Sequence, residues 1–242
     1  MGNDLTAALF SGPELRGDGP GPFVGRCEPD VLVGHGLGDL AALAAADVID
    51  LGDALELATL REQLIARAGA ERAGGLLAVV DSDADAAARN IAMLSGARIA
   101  RHDSPRRVVL AGTHEQLAHA RMAADEIYVT VEHVDAAGPL HCAAMADVAR
   151  RFARALAPIT FHGGALTVYS SVTAAPMRDP RAELAACLVK PVLWRQTVWA
   201  LSIGGTARYV ESDSSRALGD LVLETLTGPE PAGMELDLLH AR

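Results

Sequence analysis

The segment Asp30–Leu43 (DVLVGHGLGDLAAL) constrains the fold of this chain more than any other stretch. Asp30–Val33 has the short apolar run of a buried strand, and Asp39–Ala46 is an alanine-rich helix former. Between them stand only Gly34, His35, Gly36, Leu37 and Gly38. A strand that gives onto a helix through five such residues must turn sharply and let backbone pass close to backbone. A glycine-rich turn of ordinary α/β architecture satisfies this pattern. So does a nucleophile elbow, in which a serine or cysteine stands at the middle position and free helix N–H groups face a developing oxyanion. Here the middle position is Gly36. Glycine is comfortable in the strained dihedral region of an elbow nucleophile, so it keeps the turn while removing the hydroxyl.

The rest of the chain alternates strands and helices. Leu5–Phe10 is a short apolar run, and Ser11–Pro29 reads as loop on its glycines and prolines. Asp50 can cap a helix that runs to Ala68. From Gly74 the elements shorten: strand Leu76–Val80, helix Asp83–Leu94, strands Ala97–Arg101 and Arg107–Ala111, helix Thr113–Asp125, strand Ile127–Val131. That βαββαβ order is ferredoxin-like. After Pro139 the spacing predicts helix Cys142–Leu156, strand Leu166–Ser170, helix Trp194–Ile203, strand Ala207–Glu211 and helix Leu218–Leu226. The expected fold is α/β: a hydrolase-like core with a parallel sheet in residues 1–73 and 133–242, and an inserted ferredoxin-like βαββαβ subdomain in 74–132.

Composition narrows the function classes. In 242 residues, 50% are hydrophobic and 21% charged, enough to bury a sizeable core. No apolar run approaches the roughly 18 residues of a membrane span, and the N-terminus lacks the layout of a secretory signal, so a cytoplasmic protein is expected. The net charge of −10 disfavours nucleic acid and anionic lipid, and 4% aromatics leave little for base stacking. Cys27, Cys142 and Cys187 form no CxxC pair, and no spacing suggests a metal site.

Two side chains carry candidate chemistry. Ala54, Ala58, Arg61, Ile65 and Ala68 recur at helical spacing, which puts Arg61 on the apolar side of its helix. A guanidinium there needs an anion. An internal carboxylate is one solution, a snorkelling side chain another, and a ligand carboxylate held by both arms of the fork a third. His141 stands in Gly138–Met145 (GPLHCAAM), where a helix begins. It is either a satisfied structural histidine or a general base.

Read in order, these segments resemble the malonyl-CoA:acyl-carrier-protein transacylases and the acyltransferase domains of polyketide synthases. The resemblance rests on Pro29–Leu43 as elbow and following helix, and on Leu60-Arg61 in the next helix. It continues through Asp103-Ser104-Pro105 with Val108–Gly112 in the insert, His141 with Met145, Val168–Val172, and Pro191–Val198. It implies that an elbow serine attacks a CoA thioester while His141 accepts its proton, and that the acyl group passes to the phosphopantetheine thiol of a carrier protein. It implies acyl-CoA or acyl carrier protein as partner, and no cofactor. It makes Arg61 the holder of the malonyl carboxylate, Leu37 a backbone oxyanion donor and a backbone carbonyl near Leu193 the group that orients His141. His35 and Gly12 join the substrate-binding set.

The departures are as informative as the matches. The serine position is Gly36, and Pro13 removes a backbone N–H from the loop that helps form the family's oxyanion hole. Helices between that loop and the elbow are missing, which exposes apolar surface that a second copy could cover in a homo-oligomer. Insert asparagines appear as Arg101 and Asp103, and the late Gly-Pro-Gly turn as Ser212–Ser215. Three functions fit: His141-assisted hydrolysis of an acyl thioester, direct acyl transfer without a covalent intermediate, or a catalytically inactive pseudo-acyltransferase that docks a carrier protein or biosynthetic enzyme. Cys142 beside His141, His35 before the elbow and His102 in the insert are the candidate replacements for the serine, with packing as the alternative role of His35 and a structural role that of Cys142. Arg101, Arg106 and Arg107, or Arg150, Arg151 and Arg154, are candidate basic patches for an acidic carrier.

Overall fold

Leu5–Phe10 (β1) is buried along nearly all its length, as a strand covered on both faces must be. In the computed structural model, which describes residues 5–11, 28–71, 73–212 and 216–228, it lies inside a four-stranded parallel sheet. Val31–Gly34 (β2) pairs with it on one side and Thr206–Glu211 (β8) on the other, and Thr167–Tyr169 (β7) completes the order β7-β2-β1-β8. Alternation along β1 divides the core. Ala8 and Phe10 face helices α1 (Gly38–Ala45), α2 (Leu51–Glu71) and α5 (Ala146–Leu156). Ala7 and Leu9 face α7 (Trp194–Ile203) and α8 (Ala217–Thr227), where Trp194 is fully buried.

The second sheet is antiparallel, in the order β4-β5-β3-β6, from Gly74–Val80 (β3), Arg98–Ser104 (β4), Arg107–Thr113 (β5) and Thr130–Val134 (β6). Its helices α3 (Ala84–Ser95) and α4 (His114–Glu126) cover one face around Leu77, Val79, Ile91 and Leu110. Each starts at a side-chain cap: Asp83 on α3, and a reciprocal Thr113–Gln116 capping box on α4. The other face, with Leu76, Ala78, Val109 and Ala111, packs on Leu140 and Cys142, the neighbours of His141. The segment leading into α7 pairs with β4: Val192 N–H donates to Ala100 O (2.9 Å) and His102 N–H to Val192 O (2.8 Å). Among the described residues no helix is long and apolar enough to cross a membrane.

Pro180–Ala186 (α6), a stretch for which the sequence pattern gives no element, is a short helix capped by Asp179 with proline in its first turn. The helix expected from Cys142 opens as a 3₁₀ turn, Ala143–Met145, with α5 beginning at Ala146.

Candidate active site

At the end of β2 the chain enters the tight turn its glycines require. A Cβ on Gly34 would lie 2.1 Å from Asp39 N, and one on Gly38 would lie 1.9 Å from Phe10 O. Gly36 takes φ +66°, the left-handed region. Among the described residues, the only heavy atoms within 4 Å of a Cβ added there are His141 Cε1 and Nε2, both at 3.8 Å. The Leu37 N–H stands at this helix end, where the α1 dipole is positive, while Gly38 N–H donates to His35 O (3.2 Å) and Leu40 N–H to Leu37 O (3.1 Å).

His141 is 4% exposed and itself has φ +59°. Its Nδ1–H donates to the Cys187 carbonyl at 2.5 Å. That bond fixes the proton on Nδ1 and leaves the Nε2 lone pair on the side facing Gly36. Burial first, and then the Arg61 guanidinium, push the imidazole down to about 3, so it is neutral and basic-form through the physiological range. The orienting carbonyl, expected near Leu193, is that of Cys187, six residues earlier. The carbonyl of Leu193 itself accepts Thr197 N–H (2.9 Å) and Thr197 Oγ1–H (2.8 Å) in the first turn of α7.

Arg61 is on the buried stripe of α2 with Ala54, Leu57, Ala58, Leu64 and Ile65, and is 5% exposed. Its NH1 donates to Glu62 Oε1 at 3.0 Å. Its charge also acts on three buried groups beneath the turn: Asp39, His141 and Cys187. Asp39 accepts Ser171 Oγ–H at 2.7 Å through Oδ2, while Oδ1 has no partner among the described residues. Burial pushes its carboxyl up to about 7, against the pull of Ser171 and Arg61. The Cys187 thiol sits 3.8 Å from Gly36 O and 3.9 Å from both Ser171 Oγ and His141 Nδ1. Burial raises it to about 12, so it is a neutral thiol and no nucleophile.

The remaining candidates have other employment. His35 Nε2 meets Asp103 Oδ1 at 3.3 Å, and its ring stands edge-on to Trp194, 5.3 Å between centroids. It ties the turn to the second sheet through Asp103. Asp103, whose burial is outweighed by Arg101, His35 and Arg107, titrates below the usual carboxylate range. His102 Nδ1 bonds Asp85 at 2.9 Å, and Arg195 joins that carboxylate from α7 at 2.5 Å. Cys142 packs under the second sheet with its thiol on Pro139 O, and burial raises its pKa. Gly12 and Pro13 lie outside the described residues. The candidate basic patches are largely neutralised: Arg101 and Arg107 on Asp103, Arg106 on Glu224, and Arg150 and Arg151 on Asp147.

Sequence reasoning missed Glu62, Asp39, Ser171 and Cys187. Glu62 follows Arg61 directly, and neighbours on a helix do not normally face each other. Asp39 read as a helix-start residue, and its burial is set by how closely Gly38 lets α1 approach β1.

Comparison with known proteins fits this geometry. Residues 23–212 match the family model described as the acyl transferase domain. The chain is 31% identical over 244 residues to the polyketide biosynthesis protein ThaF of Burkholderia thailandensis, covering 96% of this chain and 20% of that protein. It is 29% identical to the malonyl CoA-acyl carrier protein transacylase of Salmonella typhimurium, covering 87% of this chain and 72% of that one. The solved malonyl-CoA:acyl carrier protein transacylase of Xanthomonas oryzae superposes with a TM-score of 0.77 at 28% identity, over 82% of this chain and 65% of that one. The chain thus spans a fifth of ThaF and just under two thirds of the Xanthomonas structure. By the match of its sequence over most of its length and by its fold, this chain belongs to the acyl transferase domain family.

Proposed function

We propose that this protein acts on a malonyl-type acyl thioester of CoA or of an acyl carrier protein, and hydrolyses it with water in the place of the family's serine hydroxyl. The observation that carries this reading is the space at Gly36. A Cβ built there is in ordinary contact with His141 Nε2, so a water beside Gly36 is within reach of an unprotonated imidazole. His141 takes the water proton on Nε2 while its Nδ1–H stays on the Cys187 carbonyl, which supports the cation that forms against the burial and the Arg61 charge that oppose it, the latter offset when an acyl carboxylate pairs with Arg61. The hydroxide adds to the thioester carbonyl. The oxyanion faces the Leu37 N–H and the positive end of α1. Collapse expels the thiolate, which recovers the proton from His141, leaving free acid and thiol. Arg61 offers its guanidinium to the acyl carboxylate. The carrier-protein partner is carried over from the Salmonella and Xanthomonas relatives, which are acyl carrier protein transacylases.

The test is release of free thiol from malonyl-CoA and from a malonyl-carrier thioester. Turnover that falls roughly 10²–10⁴-fold in His141→Ala supports the reading. A stable acyl-protein adduct at intact mass would overturn it, since no covalent intermediate forms. One observation favours a second reading: Gly36 and Pro13 together remove both the nucleophile and an oxyanion donor. No thiol release, with carrier binding intact, would make this a docking protein without chemistry.

A further inference from the structure

The Arg61 guanidinium is already spoken for on one arm. Its NH1 bonds Glu62 Oε1 at 3.0 Å, although adjacent helix residues usually diverge. The two side chains differ in setting: Arg61 is 6% exposed by its side chain and Glu62 43%. The guanidinium is therefore held in the interior with little water, while the glutamate reaches it from the solvent side and can swing away. A carboxylate is the same ligand chemistry that the fork would take from a malonyl-type acyl group. The other acid near Arg61, Asp39, is fully buried, bonded to Ser171 and fixed beneath the turn, so it cannot exchange with a ligand.

We propose that Glu62 is an intramolecular competitor for the carboxylate site on Arg61, and so sets the balance between acyl groups that carry a free carboxylate and those that do not. This rests on the thioester reading above. A malonyl-type group must displace Glu62 and leave it solvated, whereas an acetyl group can enter with the Arg61–Glu62 pair intact. Native discrimination between the two thioesters is correspondingly small. Glu62→Gln keeps the side-chain length and removes the negative charge, and Glu62→Ala removes the competing ligand altogether.

The experiment is equilibrium binding of malonyl-CoA and acetyl-CoA, measured by calorimetry in a His141→Ala background so that binding is read without turnover. Glu62→Gln and Glu62→Ala should each tighten malonyl-CoA roughly tenfold, the scale of one charge-assisted bond freed for the ligand. Acetyl-CoA affinity should stay within about twofold on the same reasoning. If both thioesters bind and neither variant changes their ratio, Glu62 is not a competitor and the proposal fails while the thioester reading stands. If neither thioester binds to any variant, the thioester reading fails and takes the competitor with it.

Discussion

A single α-carbon decides which chemistry this site can run. Gly36 holds φ +66°, and the nearest atoms to an added Cβ belong to His141 at an ordinary van der Waals distance. Gly36→Ser therefore meets no steric obstacle from neighbours. It does place an L side chain in the left-handed region, at a cost of about 1–2 kcal/mol. The variant should melt slightly lower than the parent, and incubation with malonyl-CoA should add the mass of one malonyl group, read by intact mass spectrometry. Failure to load, with the fold retained by circular dichroism, would mean that the imidazole and the thioester carbonyl are not aligned. The flanking glycines answer differently. Gly34→Ala pushes a methyl to 2.1 Å from backbone Asp39 N, which no rotamer can relieve. Its expected loss is about 3 kcal/mol, visible as a lower midpoint in urea.

At the level of elements, much of the order was legible in the sequence. β1 runs over the same residues the apolar run marks, and α7 begins at Trp194 as expected. The ferredoxin-like order of short elements recurs in the antiparallel sheet β4-β5-β3-β6. Boundaries drift where propensity is weak: β6 lies at Thr130–Val134, three residues beyond the expected start, because Ile127 and Tyr128 close α4 instead. The seven residues of α6 are too few to show a period, and its signal was the cap pair Asp179-Pro180. The site divides along similar lines. Gly36, Arg61 and His141 stand in recognisable words, whereas the group that orients His141 is a backbone carbonyl, which any residue can supply. The family resemblance pointed to a carbonyl near Leu193, but the Leu193 carbonyl stands at the start of a helix and is consumed by that helix's first turn, as Thr197 shows. The cap on α6 is open to test: Asp179→Ala should cost about 1 kcal/mol, measured by thermal unfolding.

Across the whole molecule, two buried groups near the turn make stability depend on pH in opposite senses. His141 is depressed from 6.5 to about 3, so the unfolded chain binds the extra proton between those values and stability is lost as pH falls through that window. Asp39 is raised from 3.8 to about 7, so the folded chain binds the extra proton and stability is lost as pH rises from about 4 to 7. Between about 4 and 6.5 the two contributions cancel. Asp39→Asn removes one of them. Its unfolding free energy from urea melts should drop as pH is lowered from 6.5 toward 4, by about 1.4 kcal/mol per pH unit, where the parent stays nearly level. Equal slopes in parent and variant would show that Asp39 does not hold its proton.

The backbone bonds of Val192 have an effect that reaches past packing. The chain from Cys187 to Val192 carries the acceptor for the His141 ring at one end and, at the other, a rung of pairing with Ala100 and His102. Loosening the antiparallel sheet thus slackens the tether on the imidazole without touching Gly36 or Arg61. Slow-exchanging amides at His102 and Val192 would then act as a gauge of whether the ring is held in its working tautomer.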